Sequence, residues 1–231
     1  MPGRPRPLRQ AEAVRLDELM SALAGLPGLG APTVLGVASD ELSSVEIGRA
    51  THDSRQVRPG DLFCCVSGSN ADGHDFAPGA VAAGAAALLV ERSLELGVPE
   101  LLVSDVRAAM GPVASVLAGD PSSTLEIVGI TGTNGKTTTT QFLAAILNAA
   151  GRNSGMIGTL SGVRTTPEAP ELQQLLGAFL TEGRRAVVME VSSHALEMRR
   201  VDGIRFRVAV FTNLSRDHLD FHGDMNAYFQ A

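Results

Sequence analysis

The chain contains few or none of several residue types. Among its 231 residues there are no tryptophans, one tyrosine and two cysteines, and Lys136 is the only lysine. Arginine supplies every other fixed positive charge of a side chain, so the single lysine predicts a site that arginine cannot fill. The two cysteines, Cys64 and Cys65, are adjacent in an apolar run, which predicts reduced core residues.

Basic charge, long apolar runs and an apolar signal core are lacking as well. The formal net charge is −6 and the sequence has no local basic patch, so we do not expect a nucleic-acid-binding surface. The longest apolar run, residues 80–90, is too short to cross a bilayer. These absences predict a cytoplasmic protein with no membrane insertion and no nucleic-acid partner.

The sequence does contain apolar runs that alternate with segments of helical periodicity. This alternation predicts an α/β fold with mostly parallel strands, right-handed crossovers and ligands at the carboxyl ends of the strands. Residues 1–10, rich in proline and arginine, predict a disordered tail. We expect a small N-terminal α/β domain over 11–120 and a P-loop-type central domain over 125–231, separated by a turn-forming segment.

The same patterns predict the individual elements. In the first domain the predicted strands are 45–52, 61–66, 86–90 and 100–103, and the predicted helices are 16–26, 76–84 and 106–119. In the second domain the predicted strands are 125–131, 154–158, 186–191 and 206–212, and the predicted helices are 137–150, 168–182 and 193–199.

The segment Thr131-Gly-Thr-Asn-Gly-Lys-Thr137 is the strongest functional signal. It joins a predicted strand to a predicted helix, where loop amides, the helix N-terminus and a lysine form a phosphate cradle. The hydroxyl of Thr137 or Thr138 would then bind Mg²⁺. The strict pattern requires glycine where this chain has Ile130, so the alternative is a glycine-rich turn with an exposed lysine. The strand–loop–helix context predicts an ATP or GTP site.

Glu190 is the only charged residue of its predicted strand and lies near the carboxyl end of that strand. A carboxylate in a buried strand is costly unless it meets a cation, so beside a phosphate loop it predicts a Mg²⁺ ligand. The alternative is an edge-strand glutamate that reaches solvent. Ser192 and Ser193 follow where the strand enters a helix, and one of them could act only as a helix cap.

Polar residues also follow two other sets of strands. After the strand at 206–212, two aspartates and two histidines within residues 217–222 indicate a metal or phosphate site, or a polar loop with capping aspartates. A histidine ligand would be atypical for Mg²⁺. In the first domain, segments 53–55 and 68–73 leave neighbouring strands at one edge, which is typical of a nucleotide pocket but also of ordinary turns.

Together these motifs resemble those of the Mur ligases, the ATP-dependent amide-forming enzymes of peptidoglycan synthesis and cell-wall biogenesis. The resemblance runs from about residue 45 to the end, and is closest to the branch that extends UDP-N-acetylmuramoyl-dipeptide to the tripeptide. Folylpolyglutamate synthases share the phosphate loop, but we do not expect them to carry the Asp-Ser-Arg domain. A GTPase would need a second lysine for its guanine-selecting Asn-Lys-x-Asp motif. The matching segments are 53–55, 59–63, 131–138, 165–167, 189–196 and 212–223.

The resemblance implies a ligase that adds a diamino acid to UDP-N-acetylmuramoyl-L-alanyl-D-glutamate through an acyl phosphate, with ATP and Mg²⁺ as cofactors. The diamino acid would be meso-diaminopimelate or L-lysine. The alternative is a non-catalytic module of the same family that binds a UDP-muramoyl-peptide or a nucleotide.

The resemblance also assigns roles to individual residues. Lys136, Glu190 and His218 would be catalytic, and Thr137, Glu190 and His218 would bind the metal. The ATP-binding residues would be Gly132, Thr133, Asn134, Gly135, Lys136, Thr137 and Thr138. The residues in contact with the UDP-sugar-peptide would be Ser54, Ser69, Asn70, Ala71, Thr165, Thr166, Ser192 and Arg200.

In the family, a carbamylated lysine that helps to position magnesium follows the motif that contains His222. This sequence ends at Ala231, before that lysine, before the rest of the central sheet and before a C-terminal domain. From the resemblance we expect the sequence to be the N-terminal portion of a longer ligase.

Overall fold

The computed structural model describes residues 13–24, 32–68, 71–160, 162 and 164–231. The tail predicted over residues 1–10 lies outside these residues. The described chain forms two separate, largely parallel sheets that follow one another in sequence. This confirms the predicted α/β fold class, whereas the limits of the two domains stay a prediction.

The first sheet contains five strands in the order β2-β7-β6-β5-β4. Strands β4 to β7 are parallel and β2 is antiparallel at one edge, while β1 and β3 form a separate antiparallel pair. The elements are β1 (Val14–Arg15), α1 (Leu16–Ala24), β2 (Thr33–Leu35), β3 (Glu46–Ile47), β4 (Arg49–Thr51), β5 (Asp61–Cys64), α2 (Ala77–Ala82), β6 (Ala87–Val90), β7 (Glu100–Leu102) and α3 (Val106–Leu117).

Helices cover both faces of this sheet, which explains why its central strands are continuous apolar runs. In β5, Leu62 and Cys64 pack with α1 and α3, while Phe63 faces the core beneath α2. The single strand predicted over 45–52 is wrong, because the chain changes partners at Gly48. Residues before Gly48 pair with β1, and residues after it pair with β5.

The second sheet contains four parallel strands in the order β11-β8-β10-β9. Helix α4 covers one face with Ala144, and α5 covers the other with Leu172 and Leu176. The elements are β8 (Glu126–Thr131), α4 (Lys136–Ala149), β9 (Ser154–Ile157), α5 (Ala169–Thr181), β10 (Ala186–Glu190), α6 (Ser193–Glu197), β11 (Phe206–Phe211), α7 (Leu219–His222) and α8 (Met225–Gln230).

The two sheet regions are packed directly against one another. Ala169, at the start of α5, belongs to the same core as α1 and α3, and Gln174 Nε2 donates to the Ala50 carbonyl oxygen at 3.2 Å. Among the described residues, none of the helices has the length and hydrophobicity that a bilayer crossing requires.

Candidate functional site

The phosphate loop joins β8 to α4 and depends on two glycines. Gly132 has φ +128° and Gly135, the residue that caps α4, has φ +87°, conformations that disfavour other residues. A Cβ at Gly132 would also collide with the Thr212 side chain. Gly129, in contrast, serves packing in β8, since a Cβ there would lie 2.7 Å from the Phe206 ring. The glycines are therefore placed for a tight loop despite Ile130.

Lys136 is the first residue of α4, and its ammonium group folds back over the loop. Nζ donates to the carbonyl oxygens of Gly132 at 2.6 Å and Thr133 at 2.9 Å. Burial lowers the pKa of Lys136, and the nearby carboxylates of Glu190 and Asp217 oppose that shift. The lysine is half-buried and positioned by the loop, so the exposed-lysine alternative is wrong.

Residues after β11 brace the loop from the side. The Asn213 carbonyl accepts from Thr133 N at 2.9 Å, and the Asn213 side chain bonds both N and O of Asn134 at 3.2 and 2.9 Å. The buried Thr133 hydroxyl lies 3.0 Å from the Tyr228 hydroxyl and accepts from Ser215 N at 2.9 Å. The hydrogen-bonding capacity of the Thr133 side chain is thus taken up inside the protein.

Glu190 ends β10, an interior strand, and is only 2% exposed. Its carboxylate accepts from Thr137 Oγ1 at 2.8 Å, from Thr159 N at 2.9 Å and from Thr159 Oγ1 at 3.3 Å. Gly158 leaves room for it, because a Cβ there would collide with the carboxylate. No ion pair to Glu190 occurs among the described residues. The edge-strand alternative for Glu190 is therefore wrong.

These groups line one cavity of about 380 Å³. The lining residues are Thr133, Asn134, Gly135, Lys136, Thr137, Thr138, Thr159, Thr165 and Glu190. A buried carboxylate without an ion pair, beside a threonine hydroxyl and a phosphate loop, suits a hard divalent ion such as Mg²⁺, which takes one or two protein oxygens and keeps water ligands. A larger cavity of about 580 Å³ lies beside β2 and contains none of the predicted residues.

His218 lies in a neighbouring aromatic cluster rather than in the cavity lining. It precedes α7 with φ +54°, and its ring contacts those of His194 and Tyr228 at centroid distances of 5.0 and 6.0 Å. Burial, together with the charges of His218 and His222, lowers the pKa of His194. In the part of the chain that the structure describes, no three His, Cys, Asp or Glu side chains are arranged to hold a metal. The role of His218 as a metal ligand stays a prediction.

Thr165, Thr166 and Ser192, predicted to contact the sugar-peptide, surround the carboxyl end of β10. The Thr165 hydroxyl lies 3.1 Å from that of Thr159 in the cavity. The buried Thr166 hydroxyl donates to the Glu190 carbonyl at 3.0 Å and accepts from Ser192 N at 3.2 Å. The Ser192 hydroxyl accepts from Ala195 N at 3.2 Å and so caps α6. Thr165 is open to a ligand, whereas the other two hydroxyls stabilise the loop.

Ser54, Ala71 and Arg200 are the remaining predicted contacts that the structure describes. Arg200 follows α6, and its Nη1 donates to the Thr166 carbonyl at 3.2 Å. Ser54 and Ala71 lie in the first sheet region. Asp53 accepts hydrogen bonds from the Arg55 side chain and backbone, and these hold the pKa of Asp53 well below its usual range. The neighbouring Ser54 hydroxyl has no partner among the described residues, so it is available to a ligand. Ala71 is exposed, while Ser69 and Asn70 lie outside the described residues.

The structure adds three residues that sequence reasoning missed: Thr159, Asn213 and Tyr228. Thr159 follows the carboxyl end of β9, and Asn213 that of β11, positions at which ligand sites of parallel sheets collect. Tyr228 is the only tyrosine of the chain, so it could have been singled out on the same ground as Lys136, the only lysine.

Two family models match the chain. The Mur ligase middle domain matches residues 130–231, and the model described as Mur ligase family, catalytic domain matches residues 46–119. These ranges contain the phosphate loop with Glu190 and the Asp53–Arg55 loop, respectively.

Individual relatives are also Mur ligases. The UDP-N-acetylmuramoyl-L-alanyl-D-glutamate–2,6-diaminopimelate ligase of Streptomyces coelicolor is 44% identical over 100% of this chain and 45% of its own length. A solved ligase of the same description has a TM-score of 0.75 at 29% identity, over 94% of this chain and 44% of that one. The MurF ligase of Thermotoga maritima in complex with ADP has a TM-score of 0.56 at 26% identity, over 79% of this chain and 41% of that one.

The chain spans less than half the length of the curated relatives and solved structures it matches. Within that span, residues of the segments 131–138, 165–167, 189–196 and 212–223 meet at one phosphate loop. From these matches and this geometry, we conclude that the chain belongs to the Mur ligase family.

Proposed function

We propose that the protein is an ATP-dependent ligase that adds a diamino acid to UDP-N-acetylmuramoyl-L-alanyl-D-glutamate in cytoplasmic peptidoglycan synthesis. The observation that carries this proposal is the buried Glu190 carboxylate, bonded to Thr137 in the cavity of the phosphate loop. That pair provides a cation site next to a triphosphate cradle. The relatives, which are named as 2,6-diaminopimelate ligases, favour diaminopimelate over L-lysine as the amino acid.

The loop from Gly132 to Thr138 would bind the triphosphate of ATP. The amides at the start of α4 would face that anion, because the first turn of a helix leaves its N–H groups unpaired. Lys136 would exchange its two carbonyl partners for the γ-phosphoryl oxygens, where charge develops during transfer. Asn213 and Tyr228 would keep the loop in place.

The proposed reaction has two steps. A carboxylate oxygen of the peptide attacks the γ-phosphorus, the bond to the β-phosphate bridging oxygen breaks, and ADP leaves with that electron pair. The amine of the incoming diamino acid then attacks the acyl carbon of the resulting acyl phosphate. The amide bond forms, inorganic phosphate leaves, and the amine loses a proton.

Glu190 and Thr137 would hold Mg²⁺, with His218 as the third ligand that the family resemblance implies. The ion, when bound, would neutralise charge on the β- and γ-phosphates. Thr159 would keep the Glu190 carboxylate oriented through its amide and its hydroxyl.

The UDP-sugar-peptide would extend between the two sheet regions. Its uridine end would lie at Ser54 and the loop 69–71, and its peptide end would lie at Thr165 and Arg200. Two observations support this orientation of the substrate. The Ser54 hydroxyl has no partner among the described residues, and Thr165 lines the phosphate-loop cavity.

Phosphate release from ATP by the full-length protein tests this proposal. We expect release only when the UDP-muramoyl-dipeptide and a diamino acid are both present. Hydrolysis at the same rate without them would contradict the ligase function. Measurable affinity for the UDP-muramoyl-peptide without any turnover would instead support a non-catalytic binding module of this family.

A further inference from the structure

Two arginines share one buried carboxylate near the place where the two sheet regions meet. Arg164 Nη1 and Arg200 Nη2 both contact the Glu168 carboxylate, at 2.9 and 2.8 Å. Glu168 is 7% exposed, and the Arg200 side chain is 14% exposed. One buried carboxylate thus forms ion pairs with two guanidinium groups.

Arg107 lies on α3, in the other sheet region. Gly111 of α3 lies directly against the backbone of Asp202, and a Cβ at Gly203 would lie 2.9 Å from the Gly111 carbonyl oxygen. Arg107 is one helical turn before Gly111 and therefore lies on the same face of α3. Arg200 is two residues before Asp202, so this backbone contact brings the Arg107 turn of α3 near Arg200, and the Arg107 charge acts on Arg200.

The cluster carries more positive charge than it can neutralise internally. The Arg107 side chain makes no hydrogen bond or ion pair among the described residues, and Arg200 Nε is buried without a partner. Burial lowers the pKa of Arg200, Glu168 opposes that shift, and the charges of Arg164 and Arg107 add to it. Arg164 is half-exposed, but Arg200 is largely buried, so excess positive charge around Arg200 is costly unless an anion joins the cluster.

The cluster is also linked to the phosphate-loop cavity. Arg200 Nη1 donates to the Thr166 carbonyl at 3.2 Å, and the Thr166 hydroxyl donates to the Glu190 carbonyl at 3.0 Å. An anion bound by the arginines would therefore lie on the side of the cavity at which the peptide must present its carboxylate for phosphorylation.

We propose that Arg107 joins Arg164 and Arg200 to form a binding site for a carboxylate of the peptide, so that the two sheet regions share one substrate contact. This inference rests on the proposed function and extends it, since Arg107 contributes specificity for the peptide portion from outside the ATP-binding region. A guanidinium group suits this role because it binds a carboxylate through two parallel hydrogen bonds.

Calorimetric titration of the full-length protein tests the inference with two ligands. UDP-muramoyl-dipeptide carries the peptide carboxylates, whereas UDP-N-acetylglucosamine has the same diphosphate and no peptide. We expect Arg107→Ala to weaken binding of the first ligand roughly tenfold or more, the loss typical of a hydrogen bond to a charged group, and to leave the second unchanged. Arg107→Lys should recover part of the loss, because it restores the charge.

Arg152→Ala is the matched control, because Arg152 pairs with Glu126 at the opposite, amino end of the second sheet. It should bind both ligands as the wild type does. Unchanged binding of the dipeptide by Arg107→Ala would overturn the inference. Equal loss of both ligands would overturn it too and would assign Arg107 to the diphosphate. If the wild type binds neither ligand, the proposed function itself fails.

Discussion

At the scale of single residues, Lys136 shows why the site uses a lysine. Its ammonium group reaches two carbonyl oxygens of its own loop, 2.6 and 2.9 Å away, which suits a compact charge with donors in several directions. A planar guanidinium group is larger and presents its donors in a fixed fork. The loop therefore holds Lys136 ready for the phosphate, and arginine would not reproduce this arrangement.

Replacing Lys136 tests this assignment. We expect Lys136→Ala to lower ligase turnover by roughly 10²–10³-fold or more, since a group that stabilises transition-state charge is lost. Lys136→Arg should not restore it. Binding of UDP-N-acetylglucosamine, measured by calorimetry, should be unchanged in both variants. An equal loss of that binding would show that the nucleotide and uridine sites are not separate.

Thr159 is expected to act through Glu190. Thr159→Val removes the hydroxyl contact to the carboxylate but keeps the backbone amide contact, while Thr159→Ser keeps both. Because partners that orient a metal ligand affect metal affinity, we expect Thr159→Val to raise the Mg²⁺ concentration needed for nucleotide binding by roughly tenfold. Fluorescence titration of an ATP analogue measures this. The idea fails if the valine and serine variants respond alike.

At the scale of elements, β5 and the residue after it show how burial on two faces controls chemistry. Cys64 packs against the core that contains α1 and α3, and Cys65 packs against the core beneath α2. Burial raises the pKa of Cys65 to about 12 and that of Cys64 further still. Both thiols are free, as predicted, and remain protonated in the fold at neutral pH.

Alkylation of the native protein checks this. At pH 8 we expect iodoacetamide to modify neither cysteine until urea unfolds the chain, as followed by mass spectrometry. The protonated thiols favour the folded state fully below the unfolded pKa of about 8.5. That contribution is lost as pH rises toward about 12. Rapid native modification at pH 8 would show that the strand opens locally.

At the scale of the whole molecule, a contact between two glycines is one of those that join the two sheet regions. Gly111 in α3 and Gly203 after α6 allow the two backbones to approach directly, and Gly203 has φ +80°. This contact, with the packing of α3 beside α5, brings the segments of Arg107 and Arg200 near one another. The proposed substrate site depends on it, although neither glycine belongs to a recognised motif.

Substituting Gly111 tests how much this close packing contributes to stability. Gly111→Ala would force the helix away from the Asp202 carbonyl, so we expect a loss of about 1–3 kcal/mol in the free energy of unfolding. Urea denaturation measures it. Gly79→Ala is the control, because nothing lies within 4 Å of its Cβ position in α2, and it should be neutral or slightly stabilising. Equal effects of the two substitutions would contradict the packing argument.

Much of the fold was predictable because buried parallel strands are continuous apolar runs that can be recognised in the sequence. The prediction of β8 at 125–131 agrees with Glu126–Thr131, and that of α5 at 168–182 agrees with Ala169–Thr181. β2 was missed because three residues at an antiparallel edge give no clear period. The strand at 45–52 was wrong because one extended segment pairs with two different partners.

The sequence by itself determined the α/β class and the phosphate loop, because those features depend on neighbours along the chain: hydrophobic period, glycine spacing and one lysine. Only the tertiary structure decided what joins residues far apart. It placed Thr159 on Glu190, Tyr228 on Thr133 and Gly111 on Gly203. Those contacts depend on strand order and helix packing, and local periodicity does not encode which distant surfaces meet.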